Sequence, residues 1–237
     1  MTSMPQRVDF DTRPPMPVNE YAGTVNAVNV GYDLVFTLSH CFLRALHQPD
    51  LRLLVVGAGG GQELERFLPG NPGWRIVGVD PSQDMLALAQ ATVERLGVQD
   101  RVELVRGTVE ELPAEQRFDA ATCFFVLHFL PDAAKLSLLR GIAARLRPHA
   151  PLLAVSGARV DAGGLREDFL GAWQQHGELM GLPAERMAAI IEQLLAQQEG
   201  AASEEDYVRL LHDAGFQKVA PFLSIMNGSL GGWIARR

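Results

Sequence analysis

Apolar residues recur along this chain in two alternating rhythms. Short continuous runs stand at 51–56, 75–79, 102–105, 120–125 and 152–155. Between several of them a helical spacing takes over: Met85, Ala89, Val93 and Leu96 share one face, and Leu136, Leu139, Ala143 and Leu146 share another. Short apolar runs suit buried strands, and the 3.6-residue rhythm suits helices packed against them. Their alternation predicts an α/β fold with a Rossmann-like, mostly parallel sheet and helices on both faces. Ahead of the first run, Val25 and Val28, then Leu34, Val35, Leu38, Phe42 and Leu46 keep helical spacing with Gly31 between them, predicting two helices over 20–47. After Val155 the alternation stops. Residues 161–200 read as two helices with no strand between, a helical lid inserted in the fold. The second has Pro183 near its start, a face of Met187, Ile190, Ile191, Leu194 and Leu195, and Gly200 past its end. Ser203 and Asp206 then fit a helix-starting box, Tyr207, Leu210, Leu211 and Ala214 give a buried face, and Gly215 a stop. Runs at 218–225 and 230–235 flank Asn227-Gly228, a hairpin-type turn. The sheet is therefore expected to have seven strands with the last antiparallel. Residues 1–17, with prolines at 5, 14, 15 and 17, read as a flexible or loosely docked arm, and 18–237 as one domain.

Composition narrows the possibilities. At 237 residues and 47% hydrophobic content the chain can bury one large core. Its net charge of −7 does not suit general nucleic-acid binding, which rests on Lys and Arg neutralising phosphates. The two cysteines, Cys41 and Cys123, form no CxxC or His/Cys cluster, so neither a disulfide framework nor a metal site is indicated. No apolar run approaches 18 residues, and the first twenty residues lack the apolar core of a secretory signal. A cytoplasmic protein without a membrane span is the expectation.

The chemistry begins at "VVGAGGGQELERF". A strand feeds a tight turn and then a helix. Glycines at 57, 59 and 61 permit positive φ and a close backbone approach to a ligand. No Gly-Lys-Ser/Thr follows, which excludes a Walker loop. The dinucleotide pattern GxGxxG fails at Gln62, whereas GxGxG fits. The second run, "RIVGVD", ends in Asp80, placing an acid at the tip of the second strand, where it can accept hydrogen bonds from both hydroxyls of a ribose.

Together these segments resemble class I S-adenosylmethionine-dependent methyltransferases, from about Leu51 to the C-terminus. "VVGAGGG" resembles the family's glycine motif, "VGVDPSQDML" its ribose-binding motif, "RGTVEELP" its adenine loop, and "FDAATCFFVLHFLPD" its fourth strand with the following loop. The resemblance implies S-adenosylmethionine as cofactor and S-adenosylhomocysteine as product. It implies cofactor contacts at Gly57, Ala58, Gly59 and Gly61, at Asp80, Pro81 and Met85, at Gly107, Thr108 and Val109, and at Phe124 and Phe125. There are two departures: the acid usual two residues before the first glycine is Val55, and the Asp usual after the glycine of "RG" is Thr108. "VNVGYDLVFTLSH", the two-helix insertion, "YVRLLHDAGF" and "MNGSLGGWIA" look like the branch containing carboxy-S-adenosylmethionine synthase. That enzyme serves tRNA wobble-uridine modification and grips its product's carboxylate with an Arg in the inserted helices. Here Glu192 aligns with that place and Arg186 lies a turn and a half earlier. A carboxylate facing Glu192 would be repelled, which favours an ordinary methyltransferase.

Methyl transfer from a sulfonium needs positioning and a water-poor pocket, with a base only where the acceptor is protonated. His128, past the fourth strand, reads as a base, as an orienting group, or as a loop-packing histidine. Tyr32 reads as a cover for the sulfonium or as an anchor between two helices. Trp173, His176 and Arg186 are candidates for the substrate side, with a core role favoured for Trp173 and His176. His40 and His47 read as ordinary helix residues. The enclosed lid suggests a small-molecule methyl acceptor and no direct nucleic-acid partner. The stripe on the second inserted helix, and the branch resembled, suggest a homodimer. A non-catalytic, cofactor-binding regulator on the same fold is the alternative of another class.

Overall fold

The computed structural model describes residues 11–12, 21–159, 164–197, 202–226 and 229–237. Two helices come first, α1 (Tyr21–Val28) and α2 (Tyr32–Arg44), separated at Gly31, whose φ of 79° ends one helix and opens the next. Strands and helices then alternate: β1 (Arg52–Val56), α3 (Gln62–Phe67), β2 (Arg75–Asp80), α4 (Gln83–Leu96), β3 (Val102–Arg106), β4 (Ala120–Phe124), α5 (Asp132–Arg145) and β5 (Pro151–Gly157). The inserted pair is α6 (Arg166–Leu179) and α7 (Ala184–Gln197), and α8 (Glu204–Asp213), β6 (Lys218–Ile225) and β7 (Leu230–Arg236) complete the order. The strands lie as β3-β2-β1-β4-β5-β7-β6 in one seven-stranded sheet. The first five are parallel, and β7 runs antiparallel to both β5 and β6. This is the predicted architecture, with strand ends differing by a residue or two.

Both sheet faces are covered, which is why the central strands are apolar on both sides. On one face α5 and α8 bury Leu139, Ile142, Tyr207 and Trp233 against Val56, Cys123 and Ala154. On the other, α2, α3 and α4 bury Val35, Phe36, Leu64, Phe67, Ala89 and Val93 against Leu53, Val55 and Ile76. The Ser203–Asp206 box is formed as expected: the Ser203 hydroxyl accepts the Asp206 N–H at 3.1 Å, and Asp206 accepts the Ser203 N–H at 2.8 Å. The stripe on α7 is met within the same chain. Met187 and Ile191 cluster with Val28 of α1, and Leu170, Trp173, Leu182, Ile190, Leu194 and Leu195 pack around them. His47 lies beyond α2, in a left-handed turn with φ of 53°, not in a helix. Gly200, the Asn227-Gly228 turn and the arm's prolines lie outside the described residues. No described helix is long and apolar enough to cross a membrane.

Candidate functional site

The sheet changes direction of winding between β1 and β4, the neighbours from which successive strands lead outward to opposite edges. At such a point the loops leaving the strands' carboxyl ends part and leave a crevice. The glycine loop lies on one side of it. Its start is tied down by the Gly57 and Ala58 N–H groups, which both donate to the Val79 carbonyl, at 2.9 and 3.0 Å. Gly57 has φ of 75°, and a Cβ there would collide with the side chain of Val126. The loops after β1 and β4 therefore meet only because position 57 lacks a side chain. Gly61 has φ of 80° and sits so close to α4 that a Cβ would lie 3.2 Å from Cα of Ala89. Ala58 is buried, with its methyl over Gly78, so it offers a ligand backbone only.

Asp80, the last residue of β2, reaches across to this loop. One carboxylate oxygen accepts the Gly59 N–H at 2.9 Å, and the other accepts the Ser82 N–H at 2.9 Å. Burial and the nearby Asp11 push its pKa up, and these two N–H groups pull it down, burial being the larger influence. A carboxylate oxygen has more than one acceptor site, so each still has room for a hydroxyl donor. Met85 lies against the same loop, its Cε 3.3 Å from where a Cβ on Gly59 would stand. Pro81 is exposed beside Asp80, and its carbonyl accepts from Arg106 Nε at 3.4 Å. Gly107 joins the group by donating its N–H to the Asp80 carbonyl at 2.9 Å.

Two further predicted contacts are committed within the chain. The Thr108 N–H is taken by the Glu111 carboxylate, in a capping box over the short turn Val109–Glu111. The Val109 side chain is fully buried in the core beneath α5. Asp11, in the segment predicted to be a loose arm, is docked on the start of α4. It accepts from the Ser82 hydroxyl at 2.5 Å, from the Gln83 and Asp84 N–H groups at 3.2 Å each, and from Arg106 at 3.4 Å. The Ser82 bond, first among these, holds the Asp11 carboxyl below its usual range.

The other wall is aromatic. Phe124 closes β4, edge-on to Phe36 at 5.8 Å. Phe125, just beyond, holds φ of 58°, an unusual backbone for a bulky residue. Its N–H donates to the Val155 carbonyl at 2.8 Å, and its ring stacks on Tyr32 at 5.4 Å. Tyr32 thus carries the start of α2 over the end of β4. Such strained positions persist where the surroundings over-determine them, and they cluster at ligand sites.

His128 belongs to a neighbouring polar network at the end of β5. Its Nδ1 accepts the Gly157 N–H at 3.2 Å and lies 3.2 Å from the Ser156 hydroxyl. Ser156 in turn pairs with the Tyr207 hydroxyl at 3.0 Å, and Tyr207 donates to the Gly157 carbonyl at 3.0 Å. Since a backbone N–H can only donate, Nδ1 is the acceptor and Nε2 carries the proton. Burial, with Lys135 nearby, lowers the His128 pKa to about 4. Trp173 is clamped elsewhere, its indole N–H donating to the Val28 carbonyl at 2.7 Å. His176 Nε2 is buried with no hydrogen-bond partner among the described residues. Arg186 and Glu192 are both exposed on α7. Among the described residues no group of three or more His, Cys, Asp or Glu is gathered for a metal.

One residue escaped the sequence reading. Glu63, second in α3, is 4% exposed, and its Oε1 has no hydrogen-bond partner among the described residues. Burial, with the charge of Asp80 added, pushes its pKa up to about 8. The available signal was its phase: 63, 64, 67 and 68 form the buried stripe of this helix, so an acid at 63 points inward with Leu64 and Phe67.

Comparison with known proteins bears on this site. Residues 53–149, the segment that carries the glycine loop, Asp80 and His128, match the family model described as a methyltransferase domain. A demethylmenaquinone methyltransferase of Bacillus cytotoxicus is 26% identical over 152 residues, 62% of each chain. A ubiquinone biosynthesis O-methyltransferase of Pseudoalteromonas translucida is 32% identical over 106 residues, 43% of this chain and 41% of that one. An uncharacterized Synechococcus protein is 33% identical over 141 residues, 58% of this chain and 32% of its own length. The chain thus spans less than two thirds of each of these curated relatives. Among solved structures, magnesium protoporphyrin IX methyltransferase from Synechocystis PCC 6803 with bound SAH superposes with a TM-score of 0.62 at 18% identity, covering 90% of this chain and 86% of that one. An S-adenosylmethionine-dependent methyltransferase from Aquifex aeolicus gives 0.54 at 19% identity, covering 78% and 81%. These superpositions establish the Rossmann-like methyltransferase fold.

Proposed function

We propose, from the match of residues 53–149 to a methyltransferase domain, that the chain is an S-adenosylmethionine-dependent methyltransferase acting on a small molecule. The observation that carries this is the clasp between Asp80 and the glycine loop at the sheet's switch point. An acid with spare acceptor sites, beside a side-chain-free loop, suits a nucleoside without a pyrophosphate. When bound, the cofactor supplies the methyl group on a sulfonium. The chain supplies the rest: Asp80 holds the ribose hydroxyls, Met85 and the Gly57–Gly61 backbone line the nucleoside, and the stacked Tyr32–Phe125 pair keeps water from the reacting end.

With its Nδ1 facing the Gly157 N–H, His128 offers a donor through Nε2. Its role in this account is to orient the acceptor at neutral pH, not to take a proton from it. The α6–α7 pair covers the acceptor side, held to α1 by Trp173, with His176 and Arg186 on the helices nearest the substrate. The names of the Bacillus and Pseudoalteromonas relatives support a small-molecule acceptor. The α7 stripe is spent on α6 and α1, so self-pairing rests on the branch resemblance alone, and light scattering at tens of micromolar reads it.

The test is transfer of a labelled methyl group to a panel of phenolic, quinol, amine and thiol acceptors. Turnover on at least one supports the reading. Tight cofactor binding with no turnover across the panel would move the chain to the non-catalytic, regulatory class. The same preparation, denatured to release any co-purified cofactor, separates the carboxylated form by mass. A mass higher by one carboxyl group would assign the chain to the carboxy-S-adenosylmethionine branch, with Arg186 reaching that carboxylate.

A further inference from the structure

A carboxyl group buried without a donor is costly, and proteins keep one where a ligand or a function answers it. Glu63 is close to such a group: its own backbone N–H is the only donor that bears on its ionisation, and Oε1 has no partner among the described residues. Its location follows from the chain: Gly61, the last glycine of the loop, caps α3, and Glu63 is the second residue of that helix, with its side chain turned inward beside Leu64 and Phe67. The glycine loop joins the carboxyl end of β1 to α3, so Glu63 lies one turn of chain from that end, whose last residues, Val55 and Val56, carry no charge, and Asp80 is close enough for its charge to be felt. That puts a buried, under-satisfied acid directly behind the glycine loop.

What could satisfy Oε1 there is restricted. An anion is disfavoured by the two acids already present. In the cofactor of the proposed function, the ribose hydroxyls belong to Asp80. Two cationic groups remain, the sulfonium and the α-ammonium, and only the ammonium has N–H bonds to donate. We propose that Glu63 is the counter-charge that binds the α-ammonium at the methionine end of the cofactor. This rests on the methyltransferase reading and adds to it a residue that selects for the amino group.

The ionisation state agrees with that role. With a pKa of about 8, Glu63 in the ligand-free protein is mostly protonated at pH 7, and an arriving ammonium favours the carboxylate. Binding therefore releases a proton. The groups facing Glu63 that could share in this are Asp80 and the Cys123 thiol, and burial pushes the latter up to about 12, so it stays protonated.

The experiment is calorimetry with two ligands on two proteins: S-adenosylhomocysteine and its deamino analogue, on wild type and Glu63→Gln. Wild type should prefer S-adenosylhomocysteine by tenfold or more, about the loss when a charged hydrogen-bond partner is removed. Glu63→Gln should lose about that factor for S-adenosylhomocysteine and bind the deamino analogue as wild type does. Equal losses for both ligands, or no loss for either, would overturn the assignment. Wild type that binds neither ligand would instead remove the cofactor reading beneath it. Should Glu63→Gln fail to fold, wild type alone decides: titration at pH 7 in two buffers of different ionisation enthalpy should show proton release with S-adenosylhomocysteine and less with the deamino analogue. Equal release for both overturns the proposal.

Discussion

Glu63 and His128 are both kept neutral by burial, and they tilt the pH dependence of stability in opposite directions. Glu63 has a folded pKa of about 8 against an ordinary 4.5. Between those values the folded chain holds a proton that the unfolded chain has lost, so stability falls as pH rises through that window. Glu63→Gln removes this penalty, and the ligand-free variant should gain more in Tm at pH 8 than at pH 5. His128 has a folded pKa of about 4 against 6.5, so here the unfolded chain holds the extra proton and stability falls as pH drops from 6.5 towards 4. His128→Gln should flatten that acid limb in thermal unfolding. An acid limb unchanged by the substitution would mean that His128 is not the group held neutral there. Asp80→Ala should weaken cofactor binding by about 1–3 kcal/mol, the scale of donors left without an acceptor. Asp80 and the glycines were legible in the sequence because their spacing sits on one local unit, strand to turn to helix. Glu63 was not, because an acid on a short helix reads as a solvated face until burial is known. The Tyr32–Phe125 stack joins residues far apart in the chain, and no local pattern announces it.

Among the elements, the best-announced helix start is that of α8. Ser203→Ala removes the acceptor for the Asp206 N–H and should cost about 1 kcal/mol, lowering Tm by about 2–4 °C in a chain of this size. The inserted helices give a sharper test of what Trp173 does. Its indole N–H holds the Val28 carbonyl, which ties α6 to α1. Trp173→Phe keeps the ring and drops that bond, so stability should fall by about 1 kcal/mol while cofactor affinity, measured by calorimetry, stays as in wild type. A loss of affinity with no loss of stability would place Trp173 in the pocket instead. The strand–helix alternation and the two inserted helices were readable because hydrophobic periodicity is local. The docking of α6 and α7 on α1 was not, because the same apolar stripe would serve a lid, a neighbour or a second copy equally well. The docking of Asp11 on α4 was hidden for another reason: half of its partners are backbone N–H groups, which leave no mark in a sequence.

Taken as a whole molecule, the chain pairs β1 with β4 at the sheet's centre, winds outward from them in both directions, and closes the sheet with an antiparallel pair. That order places the glycine loop, Asp80, Glu63 and the Tyr32–Phe125 wall around one crevice. On the proposed function this crevice holds an S-adenosyl amino acid and not a pyrophosphate-linked dinucleotide. Calorimetric titration of the purified chain with S-adenosylhomocysteine and, separately, with NADH tests it most directly. Saturable one-site binding of S-adenosylhomocysteine and no measurable heat from NADH are expected. Tight binding of NADH with none of S-adenosylhomocysteine would contradict it.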